Sequence, residues 1–259
     1  MIPGCNEANR LNKEISRIEN VVNCNIIRRL NRFVVEVTVN GRNAKSYINN
    51  TGRLNEFITY GRKAYCLETH RAKRTSYRLF AIDDEDLGAI IDTQLQMRCF
   101  EKIVDEEAIP WLRECRLTKR NAKLASSLID YLFDCPGKPI YVEAKSAVLR
   151  ENENYAMYPD CPTVRGRRHI KELIQHVSAG GRGAIVFIAA LPNVQAFKPN
   201  PHGDPEIPTL LSMAQAAGVL VKAINIHYDP RTSAIHLDDP DLTVELPASG
   251  KYETDWPPR

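Results

Sequence analysis

"LIDYLFDCPGKPIYVEAK", residues 128–145, sets two apolar runs either side of a Pro-Gly turn and places Asp130 in the first, Glu143 and Lys145 in the second. Short apolar runs bounded by turn residues read as strands, and strand side chains alternate with period two. In "IYVEAKS" this sends Ile140, Val142, Ala144 and Ser146 to one face and Tyr141, Glu143 and Lys145 to the other. If "SLIDYLF" lies antiparallel beside it, joined by "DCPGK", Asp130 comes close to Glu143. Two neighbouring carboxylates repel unless a cation lies between them, and hard divalent cations such as Mg²⁺ or Mn²⁺ take oxygen ligands. Such a metal polarises a phosphodiester and lowers the pKa of a bound water. A lysine beside it could position or deprotonate that water, or hold a phosphate oxygen. The plainer alternative is a strand ion pair between Glu143 and Lys145, with Asp130 pairing with a nearby arginine.

On the C-terminal side helix and strand alternate. "GRRHIKELIQHVSAGG" (166–181) carries apolar residues at 170, 173, 174 and 177, the stripe of an amphipathic helix closed by Gly-Gly. "GAIVFIAAL" (183–191) reads as a strand buried on both faces, "PTLLSMAQAAG" (208–218) as a helix, and "VLVKAINIHY" (219–228) as another strand. "SAIHL" and "LTVEL" suggest a closing hairpin. Upstream, "TQLQMRCFEKIVDEEAIPWL" (93–112) reads as a helix ending near Pro110, followed by a second short element. Helices alternating with strands describe an α/β or α+β domain built on a mixed sheet, expected over residues 86–259.

Residues 1–85 read differently. After a polar stretch to about residue 20, expected to be an extension or one short helix, come "FVVEVTV" (33–39), "AKSYIN" (44–49), "KAYCLET" (63–69) and "SYRLFAI" (76–82), separated by "NGRN", "NTGR" and "YGRK" turns. About five short strands in so few residues suggest a small OB-like barrel. Residues 1–80 hold 15 Lys and Arg against 6 Glu and no Asp, net +9; the remaining residues hold 20 against 26, net −6. The first third is the expected electrostatic footprint for a polyanion, the alternative being a solvated basic surface, and Tyr47, Phe57, Tyr60 and Tyr65 are candidates either for base stacking or for barrel core.

No apolar run approaches the ~20 residues of a membrane span. The N-terminus has no apolar secretory core, so a cytoplasmic location is expected. The seven cysteines are spread out with no CxxC pair, which predicts reduced, mostly structural thiols rather than a zinc site. No GxGxxG, GxxxxGK[ST] or GxSxG motif is present, which argues against a small-molecule enzyme of those types.

The segments "YVEAKSAVLRENE" (141–153) and "YPDCPTVRGRRHIKEL" (158–173), preceded by "SLID" (127–130), resemble the sugar fermentation stimulation protein family. "NNTGRL" (49–54) and "DPEIPTLLSMAQAAGV" (204–219) extend the resemblance weakly. It implies an OB-fold that binds nucleic acid, DNA before RNA, joined to a PD-(D/E)xK nuclease-like domain. On that pattern Asp130, Glu143 and Lys145 are the catalytic set. Asp130 and Glu143 are metal ligands, completed by a first-helix carboxylate, Glu101 ahead of Glu106 and Glu107. Pro159, Asp160, Thr163, Arg165, Gly166 and His169 match a further family segment. Arg165, Arg167, Arg168 and His169, with Arg53 and Tyr47 of the barrel, are the expected nucleic-acid contacts. His169 could equally be a hydrogen-bonded structural residue, and Asp160 a turn cap. Two departures stand out: Leu128 occupies a position where the family carries Arg, so that Arg150 or Arg165 would have to compensate, and Asp92-Thr93 replaces an Asn-Thr pair. A homodimer is compatible with an open strand edge. Two function classes follow, a metal-dependent nuclease and a nucleic-acid-binding regulator without hydrolysis.

Overall fold

The computed structural model describes residues 11–69, 75–151 and 154–247. The described chain starts with β1 (Lys13–Arg17), then forms β2 (Val21–Asn31), β3 (Val34–Val39), β4 (Arg42–Tyr47), β5 (Lys63–Glu68) and β6 (Tyr77–Asp84). Strands β2 to β6 close on themselves: β2 pairs β3, β3 pairs β4, β4 runs parallel to β6, β6 pairs β5, and β5 returns to β2. This is the OB-like barrel that the turn spacing suggested. Alternation explains it, since Val35, Val37 and Val39 of β3 point inward and are buried.

The expectation of an extension or short helix before residue 20 is corrected. β1 is a strand, and it pairs antiparallel with the last strand of the other sheet rather than with the barrel. Its sequence, KEISR, buries only Ile15, and too few alternating positions remain to announce a strand.

β6 continues into a hairpin with β7 (Leu87–Ile90), whose Gly88 pairs with Tyr228, so the barrel and the second sheet are continuous. Tyr65 and Phe80 of the barrel meet the Tyr228 ring edge-on at 5.1 and 5.0 Å between centroids. Edge-to-face packing of this kind stabilises a contact beyond its buried area.

The second domain follows as α1 (Thr93–Asp105), β8 (Arg116–Leu124), β9 (Ser127–Asp134), β10 (Ile140–Ser146), β11 (Leu149–Glu151), β12 (Tyr155–Tyr158) and α2 (Val164–Ser178). Then come β13 (Gly183–Ala189), β14 (Ala196–Pro199), α3 (Glu206–Ala216), β15 (Leu220–Asp229) and β16 (Ala234–Val244). β8, β9 and β10 form an antiparallel meander, β10 pairs parallel with β13, and β13 parallel with β15. This is the mixed sheet with helices expected of residues after the barrel. Every residue of β13 is buried, as its unbroken apolar run required.

Two further readings change. "SAIHL" and "LTVEL" are one strand, β16, not a hairpin: Pro240 falls where the β15–β16 register slips between Asn225 and Ala223, so its missing N–H disrupts no ladder pair. The thiols are not all reduced, because Cys115 and Cys135 form a disulfide. The register Arg116↔Asp134 explains it: the cysteines are the next residues outward on the two strands, with Cα atoms 4.2 Å apart. No helix among the described residues is long and apolar enough to cross a membrane.

Candidate active site

The β9–β10 hairpin does what the two apolar runs predicted. Its last ladder pair, Val142↔Tyr131, sets Glu143 beside Asp130. The Asp130 amide donates to Glu143 Oε2 at 3.2 Å, and the Ala144 amide donates to Asp130 Oδ2 at 2.9 Å. Lys145 shares the Glu143 face, and its Nζ donates to Glu143 Oε1 at 2.5 Å. Asp130, Glu143 and Lys145 all line a pocket of about 340 Å³ closed by Thr93, Gln96 and Met97 of α1, Thr51 of the barrel, and Arg165 of α2.

Electrostatics follow from this crowding. Burial, and then the charge of Glu143, push the Asp130 carboxyl up to about 6. Burial would also raise Glu143, but Lys145 and the His169 hydrogen bond outweigh it and hold the carboxyl below its ordinary value. Burial opposes the Lys145 charge, yet the Glu143 carboxylate prevails and its pKa rises. Lys145 is therefore an ammonium donor in this arrangement, suited to holding an oxygen rather than removing a proton.

α2 starts at Thr163, whose hydroxyl caps the helix by accepting the Gly166 amide at 3.1 Å. Positions 165 and 169 are one turn apart and share a face. His169 Nδ1 lies 2.5 Å from Glu143 Oε1, and Arg165 Nε donates to His169 Nε2 at 3.3 Å. A ring that accepts at Nε2 donates from Nδ1, so His169 orients both a carboxylate and a guanidinium. At 1% exposure it cannot touch a polymer, which corrects its expected role as a nucleic-acid contact.

The neighbouring arginines point away from the pocket, since successive residues turn by about 100°. Arg167 points to the start of α3, where it pairs with the buried Asp204 and with Glu206. Arg168 donates to Ser127 Oγ at 3.2 Å and lies outside the pocket lining.

Glu101 is not brought to the carboxylate pair. Arg120 of β8 binds it with two hydrogen bonds of 2.8 and 2.6 Å, and the pocket is lined by Thr93, Gln96 and Met97 instead. From Met97 to Glu101 the helix rises about 6 Å, enough to carry the carboxylate past the pocket. Glu106 pairs with Lys13 at the end of α1, and Glu107 follows it in an exposed turn. Among the described residues no group of three His, Cys, Asp or Glu assembles around a common point.

Arg150 does not stand in for the missing arginine at position 128. Its Nη2 donates to Asp84 Oδ2 at 2.6 Å and to the Pro192 carbonyl at 2.7 Å, joining the barrel to the second domain. Arg165 is exposed on the pocket wall and remains suited to a phosphate. Of the expected stacking residues, Phe57 and Tyr65 are core at 2% and 1% exposure, while Tyr47 and Tyr60 are exposed.

Sequence reasoning missed the role of the Asn50–Leu54 loop as a wall of the site. Arg29 engages all five of its N–H donors with the carbonyls of Asn31, Gly52, Arg53, Arg32 and Asn50. Asp160 accepts the Leu54 amide at 3.1 Å, and a Cβ at Gly52 would overlap its carboxylate. Asp160 thus pins the barrel loop to the segment before α2 rather than capping a local turn. Arg53 is exposed beside it. Asn49 Oδ1 accepts the Thr93 amide at 3.0 Å, and its amide group donates to Asp92, the cap of α1, at 2.7 Å. The "NTGR" turn was the available signal, but nothing local says which surface it meets.

Comparison with known proteins gives a consistent result. The family model "Sugar fermentation stimulation protein RE domain" matches residues 94–232, and "SfsA N-terminal OB domain" matches residues 27–91. The chain is similar to the sugar fermentation stimulation protein homolog of Pyrococcus furiosus, 49% identical over 223 residues, covering 86% of this chain and 95% of that one. The homolog of Archaeoglobus fulgidus is 46% identical over 233 residues, covering 90% of this chain and 100% of the relative. A solved structure, Pyrococcus furiosus SfsA in complex with Ca²⁺, superposes with a TM-score of 0.86 at 47% identity, over 90% of this chain and 99% of that one.

Proposed function

The chain belongs to the sugar fermentation stimulation protein family, and from that premise and the geometry of the β9–β10 hairpin we propose that it is a divalent-metal-dependent nuclease. The observation that carries this reading is the juxtaposition of Asp130 and Glu143 at a polar pocket, with Lys145 on the same strand face as Glu143. A rigid sheet holds such groups at fixed separation better than a loop would.

The donor set fits a hard cation. Asp130 is crowded by burial and by a second negative charge, a combination that a cation relieves. Mg²⁺ commonly binds through one or two protein carboxylates and keeps several waters, which suits a site with two carboxylates. The relative from Pyrococcus furiosus was solved in complex with Ca²⁺, another oxygen-seeking ion, and this supports divalent binding here. Asp130 and Glu143 would hold the ion, which supplies a polarised phosphodiester and an acidified water.

The protein's own groups then have separable tasks. Lys145 donates to a phosphate oxygen or orients the attacking water. Arg165 neutralises a second phosphate oxygen from the opposite wall. His169 keeps Glu143 and Arg165 in place. Thr51 and the α1 residues narrow the pocket so that the scissile group enters in one orientation.

The competing reading, a nucleic-acid-binding regulator, has one observation on its side: both oxygens of Glu143 already accept protein hydrogen bonds, as in a structural ion pair. The two readings separate in one assay, cleavage of end-labelled single- and double-stranded DNA and RNA with EDTA, Mg²⁺ or Mn²⁺, wild type against Glu143→Gln. Metal-dependent cutting lost in the variant supports the nuclease. Tight, salt-sensitive binding with no cutting in any metal supports the regulator.

A further inference from the structure

The carboxylate pocket does not end at Arg165. Thr51, Ser146 and Arg165 also line a second cavity of about 430 Å³, which runs between the Asn50–Gly52 loop and the start of α2 as far as Arg32. Arg32 sits at the tip of the β2–β3 hairpin, its guanidinium carbon 5.7 Å from the ring centroid of Phe33. Phe33 is 45% exposed, whereas Phe57, Tyr65 and Phe80 of the same barrel are buried.

The exposed ring is held in a built turn. The Phe33 amide donates to Asn31 Oδ1 at 2.9 Å, its carbonyl accepts the Ile48 amide at 2.9 Å, and Arg29 ties the Arg32 carbonyl to the Asn50–Arg53 loop. The backbone that carries the ring is therefore tied to the groove wall. Positive charge marks both ends of that groove, Arg32 at one and Arg165 at the other. Asp160, also on the wall, is engaged by the Leu54 amide.

We infer that Phe33, beside Arg32 of the cavity wall, is a base-stacking platform, and that this cavity and the carboxylate pocket it adjoins take single-stranded nucleic acid. This rests on the nucleic-acid reading above and goes beyond it by naming the strandedness of the substrate. Stacking on an aromatic side chain needs a base face that is not covered by its neighbours, which a single strand offers and the interior of a duplex does not. The arginines track the backbone, as in other grooves that bind single strands without sequence preference.

The test is fluorescence anisotropy in EDTA, so that no cutting intervenes, with a labelled 12-mer of thymidylate and a labelled hairpin duplex as probes. Phe33→Ala should weaken single-strand binding about tenfold, Phe33→Trp should restore it, and duplex affinity should stay unchanged. Equal weakening of both probes, or no change in either, overturns the platform, as does an oligomeric state that alone responds to Phe33→Ala. Because no metal or cleavage enters the measurement, its failure is distinct from failure of the nuclease reading. A wild-type protein that binds neither probe likewise overturns the platform.

Discussion

Asp130 and Glu143 hold one another through the backbone: the Asp130 amide donates to the Glu143 carboxylate, and the amide following Glu143 donates to the Asp130 carboxylate. This reciprocal arrangement fixes two like charges side by side on adjacent strands, at a cost that neither would bear in water. Glu143→Gln and Asp130→Asn are each expected to lower metal-dependent cleavage by at least a hundredfold, with nucleic-acid affinity in EDTA unchanged within about twofold. Cleavage retained in both variants would remove these residues from the chemistry.

If Asp130 holds the proposed cation, its raised carboxyl should make that binding pH-dependent. An acid whose folded pKa lies near 6, above its ordinary 3.8, lowers the stability of the metal-free protein as pH rises through that window. Below about pH 6 an incoming cation must displace a proton. Calorimetric Ca²⁺ affinity should therefore fall about tenfold per pH unit below 6 and level off above 7. Without metal at pH 8, Asp130→Asn should melt above wild type. An affinity that is flat from pH 5 to 8 would exclude Asp130 as the titrating ligand.

Arg165 and Arg167 are two residues apart and should behave oppositely. Arg167→Ala leaves the fully buried Asp204 without its guanidinium and is expected to cost about 3 kcal/mol in denaturant melts. Arg165→Ala should change stability by less than about 0.5 kcal/mol but weaken nucleic-acid binding and cleavage. Similar stability losses in both would refute the division of roles.

Arg29 is expected to be irreplaceable by lysine, because an ammonium cannot reach five carbonyls at once. Arg29→Lys should cost roughly 2 kcal/mol and loosen the Asn50–Arg53 wall. Gly52→Ala should do the same from the other side by displacing Asp160. Hydrogen exchange at residues 50–54 reports the loosening, and unchanged protection in both variants would contradict it.

Reduction of Cys115–Cys135 opens a loop spanning 20 residues around the β8–β9 pair and should lower stability by about 3 kcal/mol. Melts with and without dithiothreitol measure this, with Cys115→Ser as the control that no longer responds.

Whatever depends on neighbours along the chain is legible in the residues alone. Alternation in "IYVEAKS" placed Glu143 and Lys145 on one face, the Pro-Gly hairpin brought Asp130 beside them, the apolar stripe gave α2, and short strands between turns gave the barrel. Each follows from a local period of two or 3.6 residues acting on a few side chains. The remainder depends on contacts between segments distant in the chain. β1 and β8 are strands because partners pair with them; KEISR buries only Ile15, and RLTKRNAKL only Ala122 and Leu124 at its end. Glu101 is claimed by Arg120, Arg167 by Asp204 and Arg150 by Asp84, and no spacing rule announces an ion pair between distant segments. The wall built from Thr51 and Gly52 exists because the barrel docks on the segment before α2. Long-range contacts of this kind depend on how two surfaces meet after each has folded, and that information is spread over the whole chain rather than written in any one stretch of it.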